Sequence, residues 1–394
     1  MAKRLAWVAG CALLVAMIGC SPVMKAHIEL GRGNYKEAIG LYEAYLAENP
    51  ASFQARSYLG YAYLKTDRVD EAVKTLEMAL KQNPEDAHTI LYLGMARVKK
   101  GDCKGAVEIW QGYRNPEKPF VEREIRRQMT LLQIAEGHRM AKHALANEAQ
   151  LQGITAPPNT IAVLEYQDMT TDNSFAAHRK ALGAMIISDL SKIKAIKVVE
   201  RIQLQALLAE MKLGQSGVVE ASSAPRVGHL IGAKHFLVGT LMKGSLSVAT
   251  TVGDKTSTAT VVEADFWRIP PVAVKTAAEA LGVTLKEEEW AAVSRPHTKN
   301  LEAFTDYGKG LIALDAGKWD EARALFYKAY KADPNFLLAK EAYYSCPGKN
   351  TQSLVAILEM TPVQRVEAIE GAIKLAEAAQ AEANKDAGQG GGDG

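Results

Sequence analysis

A period of 34 residues constrains this chain more than any other feature. Asn49-Pro50 and Asn83-Pro84 stand one period apart, as do Gly60 and Gly94. Ala38, Ala72 and Ala106 form a third series, and Gly33-Asn34-Tyr35 is in phase with Gly101-Asp102-Cys103. A repeat of this length is one supersecondary unit that buries its apolar face only by stacking on its neighbours. Small alanines let two antiparallel helices approach closely. Glycine admits a neighbouring helix. Proline ends the second helix by removing a donor and crowding the turn before it.

This spacing resembles the tetratricopeptide repeat. Repeats are expected at 22–52, 53–86 and 87–118, followed by a capping helix over 117–150. Tyr42, Tyr45, Tyr61, Tyr63 and Trp110 fall at core or groove positions and are the candidate partner-binding residues. A further repeat-like unit at 298–345 carries Gly310, Gly317, Trp319, Ala322, Phe326, Ala329 and Asp333-Pro334 in one frame. The resemblance implies a protein-binding surface, with other proteins held in the grooves of the repeats.

The first residues read as an export signal. Lys3 and Arg4 precede an apolar run over 5–19, about fifteen residues, where a spanning helix needs roughly twenty. The run closes on Met17-Ile18-Gly19-Cys20, which resembles the lipobox of bacterial lipoproteins, with Met17 where that family prefers leucine. The resemblance implies cleavage after residue 19, lipidation of Cys20, and, with Ser21 following, attachment to the periplasmic face of the outer membrane. Two or three acyl chains anchor stably where one does not. Cys103 and Cys346 then remain in the mature chain. Two cysteines in an oxidising compartment can pair, and the sequence leaves open whether these do.

Ile154-Thr-Ala-Pro-Pro-Asn159 breaks the helical pattern and marks a boundary. Strands and helices then alternate: strands at 160–166 and 196–200, helices at 175–193, 202–212 and 221–231, and a third strand from His235 running on to Val252. Gly253-Asp254 turns the chain, and 256–266 returns beside it. Val199-Glu200-Arg201, Leu213-Gly214-Gln215-Ser216-Gly217, Ile231-Gly232-Ala233 and Leu237-Val238-Gly239 follow in an order similar to the CsgG-type curli secretion lipoproteins and related TolB amino-terminal-like domains. The resemblance implies a mixed-sheet α/β domain over 157–285. In the secretion channel of that family each protomer gives two long β-hairpins to an oligomeric barrel, whereas this chain offers one candidate, 244–264.

The expected fold class is therefore α+β multidomain. A tetratricopeptide-repeat α-solenoid (20–150, after the signal at 1–19) precedes the CsgG-like α/β domain, which precedes the repeat-like helical unit. Helices over 346–380 and a disordered tail over 381–394 complete the chain.

Catalytic chemistry has no foothold. His138 and His143 are five apart on one helix, a poor ligand spacing, and HExxH, GxSxG and phosphate-loop motifs are missing. Asp168, Asp172 and His178 near the first strand could border a cleft, but no nucleophile and base accompany them. No cofactor, metal or enzymatic activity is expected. The net charge of +2 gives no reason to expect nucleic acid as a partner. The expected role is a lipid-anchored binding and assembly protein of the envelope, docking or forming homo-oligomers through its middle domain. The alternatives are an oligomeric secretion channel and, from another class, a periplasmic enzyme on a repeat scaffold.

Overall fold

The computed structural model describes residues 22–151, 156–170, 172, 174–212, 224–242, 246–252, 255–348 and 354–389. The signal run, Cys20, and the Leu213–Gly217 turn lie outside the described residues. The chain forms two compact units, one of residues up to Ile125 together with those from Met360 onward, the other of Arg126–Glu359.

The first unit opens with three helix pairs: α1 (Pro22–Arg32) with α2 (Tyr35–Glu48), α3 (Phe53–Lys65) with α4 (Val69–Gln82), and α5 (Ala87–Lys100) with α6 (Cys103–Trp110). The expected repeats at 22–52, 53–86 and 87–118 each hold one pair. Oxygen-bearing side chains start three of these helices. Ser52 accepts the Ala55 N–H, Asp86 that of Thr89 and Asp102 that of Gly105, each satisfying a donor the helix cannot. The turn inside each pair needs a left-handed residue. Gly33 (φ +82°), Asp67 (φ +65°) and Gly101 (φ +86°) supply it one period apart, so Asp67 takes on strain that glycine avoids.

Packing explains the glycine and alanine series. A β-carbon on Gly60 would stand 2.4 Å from Leu76 Cγ, and one on Gly94 2.0 Å from Trp110 Nε1. Leu76 and Trp110 hold the same place in successive second helices, and both are buried. Ala38, Ala72 and Ala106 are fully buried at the crossings.

Helix α7 (Pro119–Ala146) and the short α8 (Glu148–Leu151) take the place of the expected cap. In the second unit follow β1 (Thr160–Val163), β2 (Gln167–Asp168), α9 (Ala176–Leu190), β3 (Lys197–Val198), α10 (Arg201–Glu210), α11 (Ala224–Ile231), β4 (His235–Met242), β5 (Leu246–Val252) and β6 (Lys255–Val261). The sheet runs β3-β1-β4-β5-β6, with β2 also beside β4. β1 pairs parallel to β3 and β4, while β4, β5 and β6 form an antiparallel meander. The sheet is thus mixed. The strand expected to run unbroken from His235 to Val252 is two strands, because Met242 pairs with Ser247 and the chain reverses between them. The return strand ends at Val261, and residues 263–268 form a 3-10 turn instead of more strand.

Helices α12 (Ile269–Ala280), α13 (Glu287–Val293), α14 (Leu301–Asp315), α15 (Trp319–Ala332), α16 (Leu337–Ser345) and α17 (Leu354–Glu359) complete this unit. The regions expected as separate domains at 157–285 and 298–345 share one core. Phe266 stacks on Phe304 with centroids 3.9 Å apart, and a β-carbon on Gly308 would meet the Ala177 carbonyl at 2.0 Å. The repeat feature recurs here, since Gly310 faces Phe326 as Gly94 faces Trp110.

Helix α18 (Pro362–Gln389) belongs to the first unit. A disordered tail was expected from 381 on compositional grounds, yet this helix continues to Gln389. Val366, Ile369 and Ile373 are buried along one stripe, and the half-buried Ala376, Gln380 and Ala383 continue it.

Gly94→Ala should destabilise the first unit by about 1–3 kcal/mol through overpacking against Trp110. Gly31→Ala, with nothing within 4 Å of the added carbon, should be neutral or mildly stabilising. Thermal melting followed by circular dichroism reads both, and equal curves for the two variants would contradict the close approach.

Candidate functional site

Aromatic side chains pave the face made by the first helices of the N-terminal repeats. Tyr61 on α3 stacks on Tyr92 on α5 with centroids 4.4 Å apart. Tyr58 lies 6.3 Å from Tyr92, and His27 meets Tyr58 edge-on at 4.6 Å. Tyr35 meets Tyr61 edge-on, with the Lys65 ammonium 5.9 Å above the Tyr35 ring. Helix α18 packs on α5 at this face. Lys65 Nζ bridges to Glu370 at 2.7 Å and Lys118 Nζ to Glu377 at 2.8 Å. The Phe120 N–H donates to Gln380 Oε1 at 3.3 Å, and the Arg365 guanidinium donates to Cys103 Sγ at 3.7 Å. Burial first, and then the negative charges of Glu370 and Glu377, push the Tyr61 hydroxyl above its ordinary pKa.

The five sequence-chosen aromatics divide between this face and the interior. Tyr61 lies on the face. Tyr42 is fully buried on α2, edge-on to His27, and its hydroxyl has no hydrogen-bond partner among the described residues. Tyr45 is half-buried. Tyr63 is buried and donates to Glu43, its own pKa pushed up to about 12 by burial and that bond, with the Arg68 guanidinium 4.2 Å over its ring. Trp110 is buried against Gly94 and donates its indole N–H to the Leu91 carbonyl at 3.2 Å. Residue choice by aromatic type missed Tyr58, His88 and Tyr92. Tyr58 and Tyr92 stand 34 residues apart, a periodic signal that could have found them.

In the second unit the densest group of charges joins Glu165, Arg179, Lys180, Arg201 and Asp315. Asp315 accepts from Lys180 Nζ at 2.7 Å and from Arg201 Nη1, while Glu165 pairs with Lys180 and lies 3.7 Å from Arg179. Lys180 and Glu165 are 7% exposed. Burial pushes the Asp315 carboxyl up, but Arg201 and Lys180 outweigh it and hold it below the usual range. Three cations share two carboxylates here, and the ion pairs join α9, α10 and α14 to the end of β1. Asp168, which could have bordered a cleft, instead accepts the Thr170 and Phe175 N–H groups and shapes the loop before α9. His178 sits between the rings of Phe175 and Phe304, each 5.2 Å away. A cavity of about 320 Å³ opens beside α9 and α14, lined by Ile187, Tyr307, Leu311 and Cys346 among others. Cys103 and Cys346 are buried and not joined in a disulfide, and burial pushes the Cys346 thiol up to about 12, where it carries no thiolate near neutral pH.

Asp315→Asn should cost about 3 kcal/mol, because it leaves the buried Arg201 without its carboxylate and Lys180 with Glu165 alone. A carboxyl with a lowered folded pKa stabilises above its unfolded value and loses that contribution as pH falls through the folded one. Urea titrations of the native chain should therefore weaken from about pH 4 downward, and the Asn variant should lose part of that dependence. An unchanged acid limb in the variant would contradict this.

Family profiles match three stretches. Tetratricopeptide repeat profiles match 29–97 and 306–335, and the profile of the curli production assembly/transport component CsgG matches 144–251. No curated protein matches the chain. Among solved structures, a tetratricopeptide repeat protein from Parabacteroides merdae is similar at 15% identity, over 82% of this chain and 96% of that one, with a TM-score of 0.27. A structure of Naa15/Naa10 bound to HypK-THB is similar at 10% identity, over 90% of this chain and 42% of that one, with a TM-score of 0.25. The chain thus contains tetratricopeptide repeats and, between them in sequence, a CsgG-like domain.

Proposed function

We propose that this chain is a lipoprotein anchored through Cys20 to the periplasmic face of the outer membrane, where it binds other envelope proteins through its repeats. In this reading it serves curli-type secretion or envelope assembly, and the CsgG-like domain docks onto other components or onto further copies. The match of 144–251 to the curli assembly and transport component, in one chain with two protein-binding repeat regions, carries the reading. The lipobox-like Met17-Ile18-Gly19-Cys20 supports the anchor. A binding role without catalysis agrees with both families and with a charge cluster in which carboxylates and cations answer one another.

A membrane-inserted channel is the weaker reading. β5 and β6 are seven residues each, where a transmembrane strand needs about 9–11. β6 turns Thr256, Thr258 and Thr260 outward, and lipid would demand an apolar band there. Its other face meets α12, where Ser257 and Thr276 share a hydrogen bond.

Cys20→Ser should move the protein from the membrane fraction to the soluble or unprocessed pool and abolish labelling by a fatty-acid probe. Mass spectrometry finding an unacylated Cys20 at the mature N-terminus would refute the anchor. The purified full chain should leave liposomes of bacterial lipid intact. Reproducible single-channel conductance, abolished by Val248→Asp, would replace the assembly reading with the channel.

A further inference from the structure

The first unit contains a worked example of what its aromatic face accepts. Helix α18 presents Val366, Ile369 and Ile373 as a buried stripe at helical spacing. Glu370 and Glu377, one heptad apart, meet Lys65 and Lys118. Val363 and Leu375 are exposed off that stripe, so burial follows the pattern of the face and not mere apolarity. The two lysines come from the end of α3 and from the segment before α7, and they pair with carboxylates two helical turns apart on α18, both close enough to act on Tyr61, which stacks on Tyr92. The surface is therefore an apolar, aromatic strip with a cation near each end.

We propose that this face is a recognition site for an acidic amphipathic helix, that α18 is its occupant within the chain, and that a helix of another protein with the same pattern enters by displacing α18. The pattern is explicit. Apolar residues fall at positions i, i+3 and i+7, and carboxylates at i+4 and i+11. The proposal rests on the reading of the repeats as a protein-binding surface and adds the chemistry of the partner and the element that competes with it. Helix α18 is suited to exchange. Beyond Ile373 its stripe continues only through Ala376, Gln380 and Ala383. Its outer ion pair is open to solvent, with Lys118 43% and Glu377 44% exposed, so that half gives way most readily to a helix carrying larger side chains.

The probe is a fluorescent synthetic peptide of residues 362–389, read by anisotropy against the full chain. Ile369→Asp with Ile373→Asp in the full chain should disarm α18 while leaving the glycine contacts of the repeats untouched. That variant should bind the peptide at least tenfold more tightly than the native chain. Adding Lys65→Glu should weaken it about tenfold, and a peptide with Glu370→Lys should restore it. Glu370→Lys with Glu377→Lys is the milder release variant if the first loses its helical circular dichroism. Equal affinity for native and released chains, or no response to the charge swap, would overturn the proposal. So would a native chain that sizes as a dimer and becomes monomeric in the released variant, since α18 would then occupy the face of a second copy. The outcomes separate from those of the assembly reading. If the peptide binds but no envelope protein co-purifies, assembly fails and the helix site stands. If envelope proteins co-purify equally with the Ile369→Asp, Ile373→Asp chain and with that chain carrying Lys65→Glu, the helix site fails and assembly stands.

Discussion

Three of the repeat pairs depend on one steric arrangement, a glycine opposite a large side chain, and the first pair has the small Ala26 in the same place. Gly60 and Leu76, Gly94 and Trp110, and Gly310 and Phe326 share the same separation in sequence and leave no room for a β-carbon. A stacked repeat touches only its neighbours, so no distant contact can correct its register. The register must be set inside each pair, and a small residue, glycine in three pairs and Ala26 in the first, sets it by admitting one side chain at one depth. Alanines at the crossing then fix the spacing of the two helices. With both fixed, successive first helices stand side by side and their aromatics form a continuous face. Tyr58, Tyr61 and Tyr92 meet because the notches beneath them are in register.

The second unit turns the same device to another use. Its α14 and α15 keep the Gly310–Phe326 notch, but α14 also packs on α9 through Gly308 and Ala177. Helix α9 is buried on nearly every side, Arg179 and Lys180 included. Buried cations demand partners, and α14 and the end of β1 provide them as Asp315 and Glu165. The repeat thus completes the α/β domain, covering its helix and giving Lys180 and Arg201 a shared carboxylate. An α/β sheet with a helix so charged would be poorly stable alone.

The repeats were legible in sequence because their signal is spacing, and spacing survives wherever close packing forbids alternatives. The strands were less so. β2 and β3 are two residues each and are held by neighbours more than by their own pattern. The run through Leu246 and Val252 alternates as smoothly as the strand before it, so alternation could not mark where β4 ends and β5 begins. The separation of two domains in sequence hid a shared core, because Gly308 reads as an ordinary repeat glycine until Ala177 is seen against it. Helix was expected up to 380, and only the last turns of α18 were hidden by composition. Ala, Glu and Gln look unable to bury anything until a preformed face supplies the other half of the contact. Aromatic type picked out Tyr61, which lies on the aromatic face, together with Trp110, which is buried, since first and second helices both carry large rings and only the packing tells which ring points inward.

The energetics of α18 follow from the same contrast. Exposed ion pairs contribute at most about 1 kcal/mol each, so Lys118 and Glu377 set orientation more than affinity. Three branched side chains contribute more, at about 1.5–3 kcal/mol for each one fully buried. Against these stands the entropy of ordering 28 residues of helix whose second half buries little beyond alanine. What keeps such a helix in place is its tether. A ligand joined to its site acts at a high effective concentration, in the millimolar range for short flexible links, and loses that advantage only to a competitor with better contacts. A face that holds a weak helix by connection therefore stays covered when the chain is alone, which keeps its tyrosines from solvent. It yields to a helix that fills the positions where α18 offers only Ala376 and Ala383.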